Sequence, residues 1–310
     1  MKIAVSARSF CKNKVLRTQL LESFNDVQFL MSEGVPDTHN LAKIDENIKA
    51  LIVGTEVINE DILKRFPKLE FISKYGVGLD NIDFEALNKL GIQFGYTAGV
   101  NRLCVAELTL SFMLGLAHNV FLKGIPLKSG NWDKNGGIQL SGKKVGVIGC
   151  GNVGQSLLKL LQPFNCDLLI NDIEDRTTVI QSFNARQTSK EEIFKTCHFV
   201  TLHTPLNYET YHMINESSIN LMNTDSFLIN TARGSLVKQS ALKQALSKNS
   251  ISGATLDVFE LEPPDDLEFL KLPNLMTTPH IGGNAIEAQL NMGHSSIKHL
   301  RDYFNLQETI

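Results

Sequence analysis

Val145-Gly-Val-Ile-Gly149-Cys-Gly151-Asn-Val-Gly154 is the stretch on which the reading of this chain turns. An apolar strand pattern runs straight into G-x-G-x-x-G, and helix-forming residues follow from Gln155 to Gln162. Eighteen residues past the third glycine (172 − 154), a second apolar run, Leu168-Leu-Ile-Asn-Asp172, ends in an acid. Strand, glycine turn, helix, strand and acid in that order form the dinucleotide-binding fingerprint. Gly149 permits the tight turn, Gly151 lets the backbone approach a pyrophosphate, and Gly154 lets helix and strand pack closely. Asn152 and Val153 then open a helix whose N-terminus faces the phosphate charge. Asp172 suits the adenosine ribose hydroxyls and repels a 2′-phosphate, so NAD is expected over NADP. Glu174 and Asp175 deepen that negative field, and Arg176 is the nearby cation that argues the other way. The motif alone leaves the chemistry open, because flavoproteins and sugar-nucleotide enzymes share it.

The fingerprint begins near the middle of 310 residues, and a chain of that length is expected to hold two domains. The N-terminal third alternates strand patterns (Lys2–Ser6, Val27–Met31, Ala50–Val53, Phe71–Lys74, Ile92–Tyr96) with helical ones (Asn13–Phe24, Asn59–Phe66, Phe84–Leu90). Such alternation means a parallel sheet with helices on both faces. A long apolar helix is expected over Val105–Leu122, buried between domains or against a second subunit. Six strand patterns follow the fingerprint's start, ending at Leu275–Thr277, and Asn284–Phe304 reads as a last helix that returns to the first lobe. The expected division is therefore 1–98 plus 285–310 for a discontinuous substrate domain, and 99–284 for the dinucleotide-binding one.

A net charge of −3 and a pI near 6.3 give no sign of a nucleic-acid or anionic-membrane surface. No apolar run approaches the ~20 residues of a spanning helix. Met1-Lys-Ile-Ala-Val-Ser reads as a first strand rather than a signal peptide, and a cytoplasmic location is expected. Cys11, Cys104, Cys150, Cys166 and Cys197 are scattered without C-x-x-C spacing, which reads as free thiols and no metal site. Cys150 inside the glycine loop is read as a tolerated small residue rather than a redox thiol.

Four further segments narrow the chemistry: Gly76-Val-Gly78-Leu-Asp-Asn81-Ile-Asp83, Asn230-Thr-Ala-Arg233-Gly234, Asp257-Val-Phe-Glu-Leu-Glu262-Pro-Pro264, and Thr278-Pro-His280-Ile-Gly-Gly283. With Gly130-Asn-Trp132 and Leu202-His-Thr-Pro205-Leu206 they resemble, over nearly the whole chain, the D-isomer-specific 2-hydroxyacid dehydrogenases, in particular the phosphoglycerate dehydrogenase-like subgroup. The resemblance implies a Rossmann-type doubly wound NAD-binding domain inserted into a smaller flavodoxin-like α/β substrate domain. It implies a homodimer formed through the NAD-binding domain. It also implies hydride transfer between nicotinamide and C2 of a 2-hydroxy or 2-keto acid. Arg233, a planar fork of donors, would clamp the substrate carboxylate and carbonyl oxygen. His280 would be the acid in reduction and the base in oxidation, with Glu262 pairing to it and raising its pKa. Backbone N–H groups of Val77 and Gly78 would bind the substrate carboxylate. Asp257 would meet the nicotinamide carboxamide, and Thr204, Pro205, Thr231, Ala232 and Gly282 would line the cofactor groove.

The identity of the acid is less legible. Lys74 stands just before the substrate loop and could meet a second substrate charge. Gly54 stands where phosphoglycerate dehydrogenases tend to carry an arginine. 3-Phosphoglycerate ranks first, followed by glyoxylate, hydroxypyruvate and lactate-type acids, and a phosphite oxidiser shares the scaffold. The rivals from other classes are an NAD(H)-sensing corepressor-like binding protein and, more distantly, a hydrolase of the S-adenosylhomocysteine type.

Overall fold

A computed structural model describes residues 1–32, 35–36 and 41–305. Residues 306–310, the end of the expected substrate-domain segment, lie outside the described residues. The chain divides into two compact units, Met1–Asn101 with Gly283–Ile310, and Arg102–Gly282.

The first unit begins β1 (Lys2–Val5), α1 (Arg8–Lys12), α2 (Lys14–Ser23) and β2 (Asp26–Phe29). A short antiparallel pair, β3 (Met31–Ser32) and β4 (Val35–Pro36), follows. Then come β5 (Ala50–Val53), α3 (Glu60–Leu63), β6 (Phe71–Lys74), α4 (Phe84–Leu90) and β7 (Gln93–Gly95). Its main sheet is parallel with order β2-β1-β5-β6-β7, so the strand order reverses between β1 and β5. β5 and β6 are buried along their whole length, as continuous apolar runs in a doubly covered sheet should be. The helices are fixed by local chemistry. Asn13 accepts from the Val15 and Leu16 N–H groups at the start of α2, Asp83 accepts from Ala86 N–H at the start of α4, and Gly91 closes α4 at φ 70°.

The second unit opens with α5 (Arg102–Ala117) and α6 (Val120–Leu127). It then winds β8 (Lys144–Ile148), α7 (Asn152–Leu161), β9 (Asp167–Asn171), α8 (Thr177–Gln181), β10 (Ala185–Gln187), α9 (Lys190–Thr196) and β11 (Phe199–Leu202). The rest is α10 (Glu216–Ile219), β12 (Phe227–Asn230), α11 (Gln239–Ser247), β13 (Gly253–Leu256), α12 (Leu267–Leu270) and β14 (Leu275–Thr277). All seven strands are parallel in the order β10-β9-β8-β11-β12-β13-β14. Numbered within the unit, that is the 3-2-1-4-5-6 arrangement of a dinucleotide-binding sheet plus one strand, with the switch point between β8 and β11. Separate apolar clusters cover the two faces, one around Leu202, Leu228 and Leu256, the other around Val147, Leu157 and Ile229. The chain then returns as α13 (Ile286–Tyr303), whose Leu300, Ile297 and Met292 pack in the first unit's core with Leu16 and Val5.

One expectation is corrected. The helix anticipated over Val105–Leu122 is two helices, α5 and α6, bent by 69°. The Ala117 carbonyl accepts from Ile138 N–H at 2.7 Å, so it is taken before the ladder can continue, and Asn119 turns the chain at φ 54°. α5 packs along α7, with Val105, Phe112, Met113 and Leu116 buried. α6 buries none of its residues, and Val120, Phe121, Ile125 and Leu127 are exposed. Among the described residues no single helix is long and apolar enough to cross a membrane.

Candidate active site

In the second unit the glycine turn lies at the switch point. Gly149 adopts φ 95°, and a Cβ there would stand 2.6 Å from the His203 carbonyl at the end of β11. A Cβ on Gly154 would lie 2.2 Å from the Gly149 oxygen, which is the close helix–strand approach expected of the third glycine. A Cβ on Gly151 would meet nothing within 4 Å. Position 151 is therefore open, and the backbone there faces space rather than packing. α7 also starts without a side-chain cap, unlike α2, α4 and α9, so Asn152 and Val153 open it with N–H groups that no cap claims.

Asp172, just past β9, accepts from the N–H of Cys150 at 2.7 Å and of Glu174 at 3.0 Å. Burial pushes its carboxyl up, but those two hydrogen bonds and the Arg176 charge outweigh it and hold the group ionised below its ordinary range. Arg176 pairs with Asp172 at 3.4 Å and with Glu174 at 2.7 Å. Cys150 is buried, and burial together with the Asp172 charge pushes its thiol up to about 11, the opposite of a redox-poised thiolate.

The loops after β11, β12, β13 and β14 gather the remaining candidates. The Thr204 hydroxyl is buried and finds no partner among the described residues. Pro205, in the same loop, is held through its carbonyl, which accepts from the Thr210 hydroxyl at 2.8 Å. Thr231 bonds the Thr109 hydroxyl of α5 at 2.9 Å. Asn230, fully buried, accepts from Ala232 N–H and donates to the Arg233 carbonyl, locking the turn that presents the guanidinium. A Cβ on Gly234 would fall 1.9 Å from the Phe259 carbonyl, so only glycine lets this turn press against the segment carrying Glu262.

Glu262 and His280 meet directly, Oε2 to Nδ1 at 2.7 Å, with the other carboxylate oxygen accepting from Phe259 N–H at 3.0 Å. The hydrogen bond to Glu262 raises the imidazole above its ordinary value, against opposition from burial, while the charge of Asp257 assists and that of Arg233 opposes. Burial raises Glu262, but the bond to His280 dominates jointly with the charges of His280 and Arg233, and its carboxyl ends below its usual range. Arg233, Glu262 and His280 thus act electrostatically on one another. Asp257, expected at a nicotinamide carboxamide, is fully buried and spends its oxygens on its neighbours: on Thr278 Oγ1 at 2.5 Å, Ile281 N–H at 2.8 Å and Gly282 N–H at 2.7 Å. Its own carbonyl accepts from His280 N–H at 2.8 Å. His280 sits at φ 53°, a conformation that costs a non-glycine residue about 1–3 kcal/mol and persists only when its surroundings over-determine it.

In the first unit the turn after β6 holds Val77 and Gly78, both partly exposed. Neither N–H donates a hydrogen bond among the described residues, which leaves two adjacent donors for an anion. Lys74 is only 4% exposed; its ammonium donates to the Gly54 carbonyl at 2.5 Å and to Asn81 Oδ1 at 2.8 Å, at the two ends of the segments flanking the turn. Sequence reasoning placed Lys74 near the loop but missed Asn81 and Glu56 as its companions, as it missed Asn230 behind Arg233. Asn81 and Asn230 lay inside quoted motifs, whereas nothing in the sequence singled out Glu56.

The residues fit NAD. The open Gly151 backbone, the uncapped α7 start, the orphaned Thr204 hydroxyl and the ionised Asp172 are what its pyrophosphate and ribose groups require. Among the described residues no cluster of three or more His, Cys, Asp or Glu side chains could hold a metal ion.

Comparison with known proteins agrees. Residues 110–282 match the family described as D-isomer specific 2-hydroxyacid dehydrogenase, NAD binding domain. The chain is 33% identical over 292 residues to a glyoxylate reductase of Thermococcus litoralis, covering 91% of this chain and 88% of that one. It is 37% identical over 279 residues to a D-3-phosphoglycerate dehydrogenase of Methanocaldococcus jannaschii, covering 89% of this chain but 53% of that longer protein. The fold superposes with a TM-score of 0.86, at 25% identity, on a D-lactate dehydrogenase of Aquifex aeolicus complexed with NAD and lactic acid, covering 98% and 96% of the two chains. The fingerprint, the seven-stranded sheet and the full-length relatives agree that this chain belongs to the D-isomer-specific 2-hydroxyacid dehydrogenases and is an NAD-dependent oxidoreductase.

Proposed function

We propose that the protein reduces a small, unphosphorylated 2-keto acid, glyoxylate or hydroxypyruvate, to the corresponding 2-hydroxy acid. The observation that carries the chemistry is the 2.7 Å Glu262–His280 pair within the field of Arg233. Arg233 holds the substrate carboxylate and the carbonyl oxygen. His280, kept cationic by Glu262, gives its proton to that oxygen as it gains charge, and takes it back in oxidation. The Val77 and Gly78 N–H groups are assigned to the carboxylate. Bound NADH supplies the hydride for C2. The glycine loop, Asp172, Thr204, Pro205, Thr231, Ala232 and Gly282 orient the cofactor, and Asp257 sets the loop that carries His280.

For the substrate, the support is the engagement of Lys74 by Gly54 and Asn81, which turns its charge inward, and the full-length likeness to a glyoxylate reductase. 3-Phosphoglycerate, ranked first on sequence, stays as the second reading because of the 37% identical phosphoglycerate dehydrogenase. A panel of glyoxylate, hydroxypyruvate, pyruvate and 3-phosphohydroxypyruvate with NADH and NADPH tests both. Best turnover of 3-phosphohydroxypyruvate would replace the first reading with the second. Tight NADH binding without turnover of any keto acid would favour the corepressor-like sensor.

The exposed apolar side of α6, with Phe121, Ile125 and Leu127, supports a homodimer formed through the second unit. The five unpaired cysteines support a reducing, cytoplasmic setting. Sedimentation of wild type against a Phe121→Glu/Ile125→Glu variant tests the dimer, which should dissociate.

A further inference from the structure

Past β13 the chain runs Asp257-Val-Phe-Glu260-Leu-Glu262, and Phe259 is the last buried residue until Phe269. Leu261 and Leu267, the leucines of the stretch between, are 56% and 61% exposed. A carboxylate carried on such a stretch is not aimed by apolar packing, so its position has to come from polar ties.

Glu260 ties the start of this stretch to two other segments. Its Oε1 accepts from Gln239 N–H at 3.0 Å, at the first residue of α11. α11 has no side-chain cap of its own and no acid in its first turn. Glu260 therefore caps it from another segment and meets the positive end of its dipole. The same Oε1 lies 2.8 Å from His212 Nε2, in the loop after β11. The ring N–H is not aligned on it, so this contact is electrostatic rather than a directed hydrogen bond. His212 is itself fixed: at φ 50°, its N–H donates to Ser235 O at 2.8 Å and its carbonyl accepts from Asn215 Nδ2 at 2.9 Å. The Phe259–Glu260 peptide in turn presses on Gly234, next to Arg233. Two residues on, Glu262 reaches His280 at 2.7 Å. One short segment thus carries two carboxylates that each face a histidine, Glu262 at the acid–base pair and Glu260 outside it.

We propose that Glu260 is a positioning residue for the Glu262–His280 pair: by tying the start of this stretch to α11 and to the loop after β11, it holds the Glu262 carboxylate on the His280 ring. It acts through Glu262 and needs no contact with substrate or cofactor. The role rests on the assignment of Glu262 and His280 as the acid–base pair of a keto-acid reductase. The His280 ring reports on the hold. The bond to Glu262 raises the imidazole and burial opposes it, while the Asp257 charge assists and that of Arg233 opposes. Loosening Glu262 therefore lowers the pH at which His280 gives up its proton.

The test follows the His280 imidazole by proton NMR against pH in the ligand-free protein, its signal identified by its absence in His280→Gln. Glu260→Ala should lower the His280 midpoint by about half a pH unit or more. In a Glu262→Gln background the same substitution should move it by less than about 0.2 pH unit, because the group it positions is gone. An unmoved midpoint in Glu260→Ala overturns the proposal. So does an equal shift in both backgrounds, which would mark a direct charge effect or a general loosening of the unit. Should Glu260→Ala fail to fold, Gln239→Pro is read in the same two backgrounds. Proline fits the first helical position and removes the N–H that Glu260 accepts. The same pattern of shifts is expected, and an unmoved His280 overturns the idea. The NMR midpoint needs no turnover, so failure of wild type to reduce any 2-keto acid counts against the functional assignment alone.

Discussion

Two glycines three residues apart make opposite predictions when each is given a methyl group. At Gly154 a Cβ would lie 2.2 Å from the Gly149 oxygen, a backbone atom that cannot swing aside. Reaching ordinary contact requires a shift of roughly 1 Å in the glycine turn, and overpacking of this kind costs about 1–3 kcal/mol. For a domain of this size each kcal/mol lowers the melting midpoint by about 2–4 °C, so Gly154→Ala should melt roughly 2–12 °C below wild type without ligand. At Gly151 the same methyl meets nothing within 4 Å, and φ −81° is ordinary for alanine. Gly151→Ala should therefore melt within about 1–2 °C of wild type without ligand, since a substitution that touches nothing shifts stability by no more than about 0.5 kcal/mol. It should still weaken NADH, because the methyl occupies the space the pyrophosphate needs. A clash of about 1–3 kcal/mol is roughly a 5–150-fold rise in Kd. Calorimetric melting of the ligand-free proteins and NADH titration by nucleotide fluorescence read the two effects separately. Wild-type NADH affinity in Gly151→Ala would refute the cradle, and wild-type stability in Gly154→Ala would refute the close-packing argument.

Three further outcomes are expected. Arg233→Ala should lose about 10²–10³-fold in kcat/KM for keto-acid reduction while NADH Kd stays within about threefold; equal loss of both would remove it from substrate binding. In Glu262→Gln, His280 loses the partner that raises its pKa. Reduction uses the protonated ring, present below that pKa, so the fall in kcat/KM with rising pH should move to lower pH, and an unmoved pH profile would refute the pairing. Asp172→Ala removes the carboxylate while leaving Arg176 in place, so the NAD:NADP ratio of kcat/KM should fall by at least about tenfold, and an unchanged ratio would count against its role.

The second unit was legible because its central strands are continuous apolar runs bounded by turns, as doubly covered parallel strands must be. β10 was not: Ala185-Arg-Gln is three residues long, half exposed and at the sheet edge, so no burial pattern marks it. The break between α5 and α6 was invisible for another reason. Both halves are apolar, and what ends α5 is a hydrogen bond from Ile138, 21 residues on (138 − 117). The site divides the same way. Motif residues with polar heads, Arg233, Glu262 and His280, could be named, with Glu262 as the partner of His280, but the lock of Asn230 behind Arg233 and the mooring of the His280 loop on Asp257 could not. Lys74 shows why: its position beside the loop follows from sequence, whereas the direction of a flexible four-carbon stem depends on where Gly54 and Asn81 fold. The unit boundaries fall at Asn101/Arg102 and Gly282/Gly283, a few residues from the expected 98/99 and 284/285.

The mooring of Thr278–Gly282 to Asp257 makes the imidazole an extension of the sheet rather than of a loop. Asp257 follows β13 directly, and its N–H donates to the Asn230 carbonyl at the end of β12, the strand that leads into Arg233. The His280 imidazole and the Arg233 guanidinium are thus indexed to adjacent rungs of one parallel ladder, in which Asn230 pairs with Leu256. Their relative aim is set when β12 and β13 find register, before any ligand arrives. A slip of one residue in that register would point every side chain of β13 to the opposite face and dismantle the acid–base pair with it. In this protein, the mutual aim of Arg233, Glu262 and His280 is a by-product of strand alignment, and errors in folding the core would disturb the Glu262–His280 pair first.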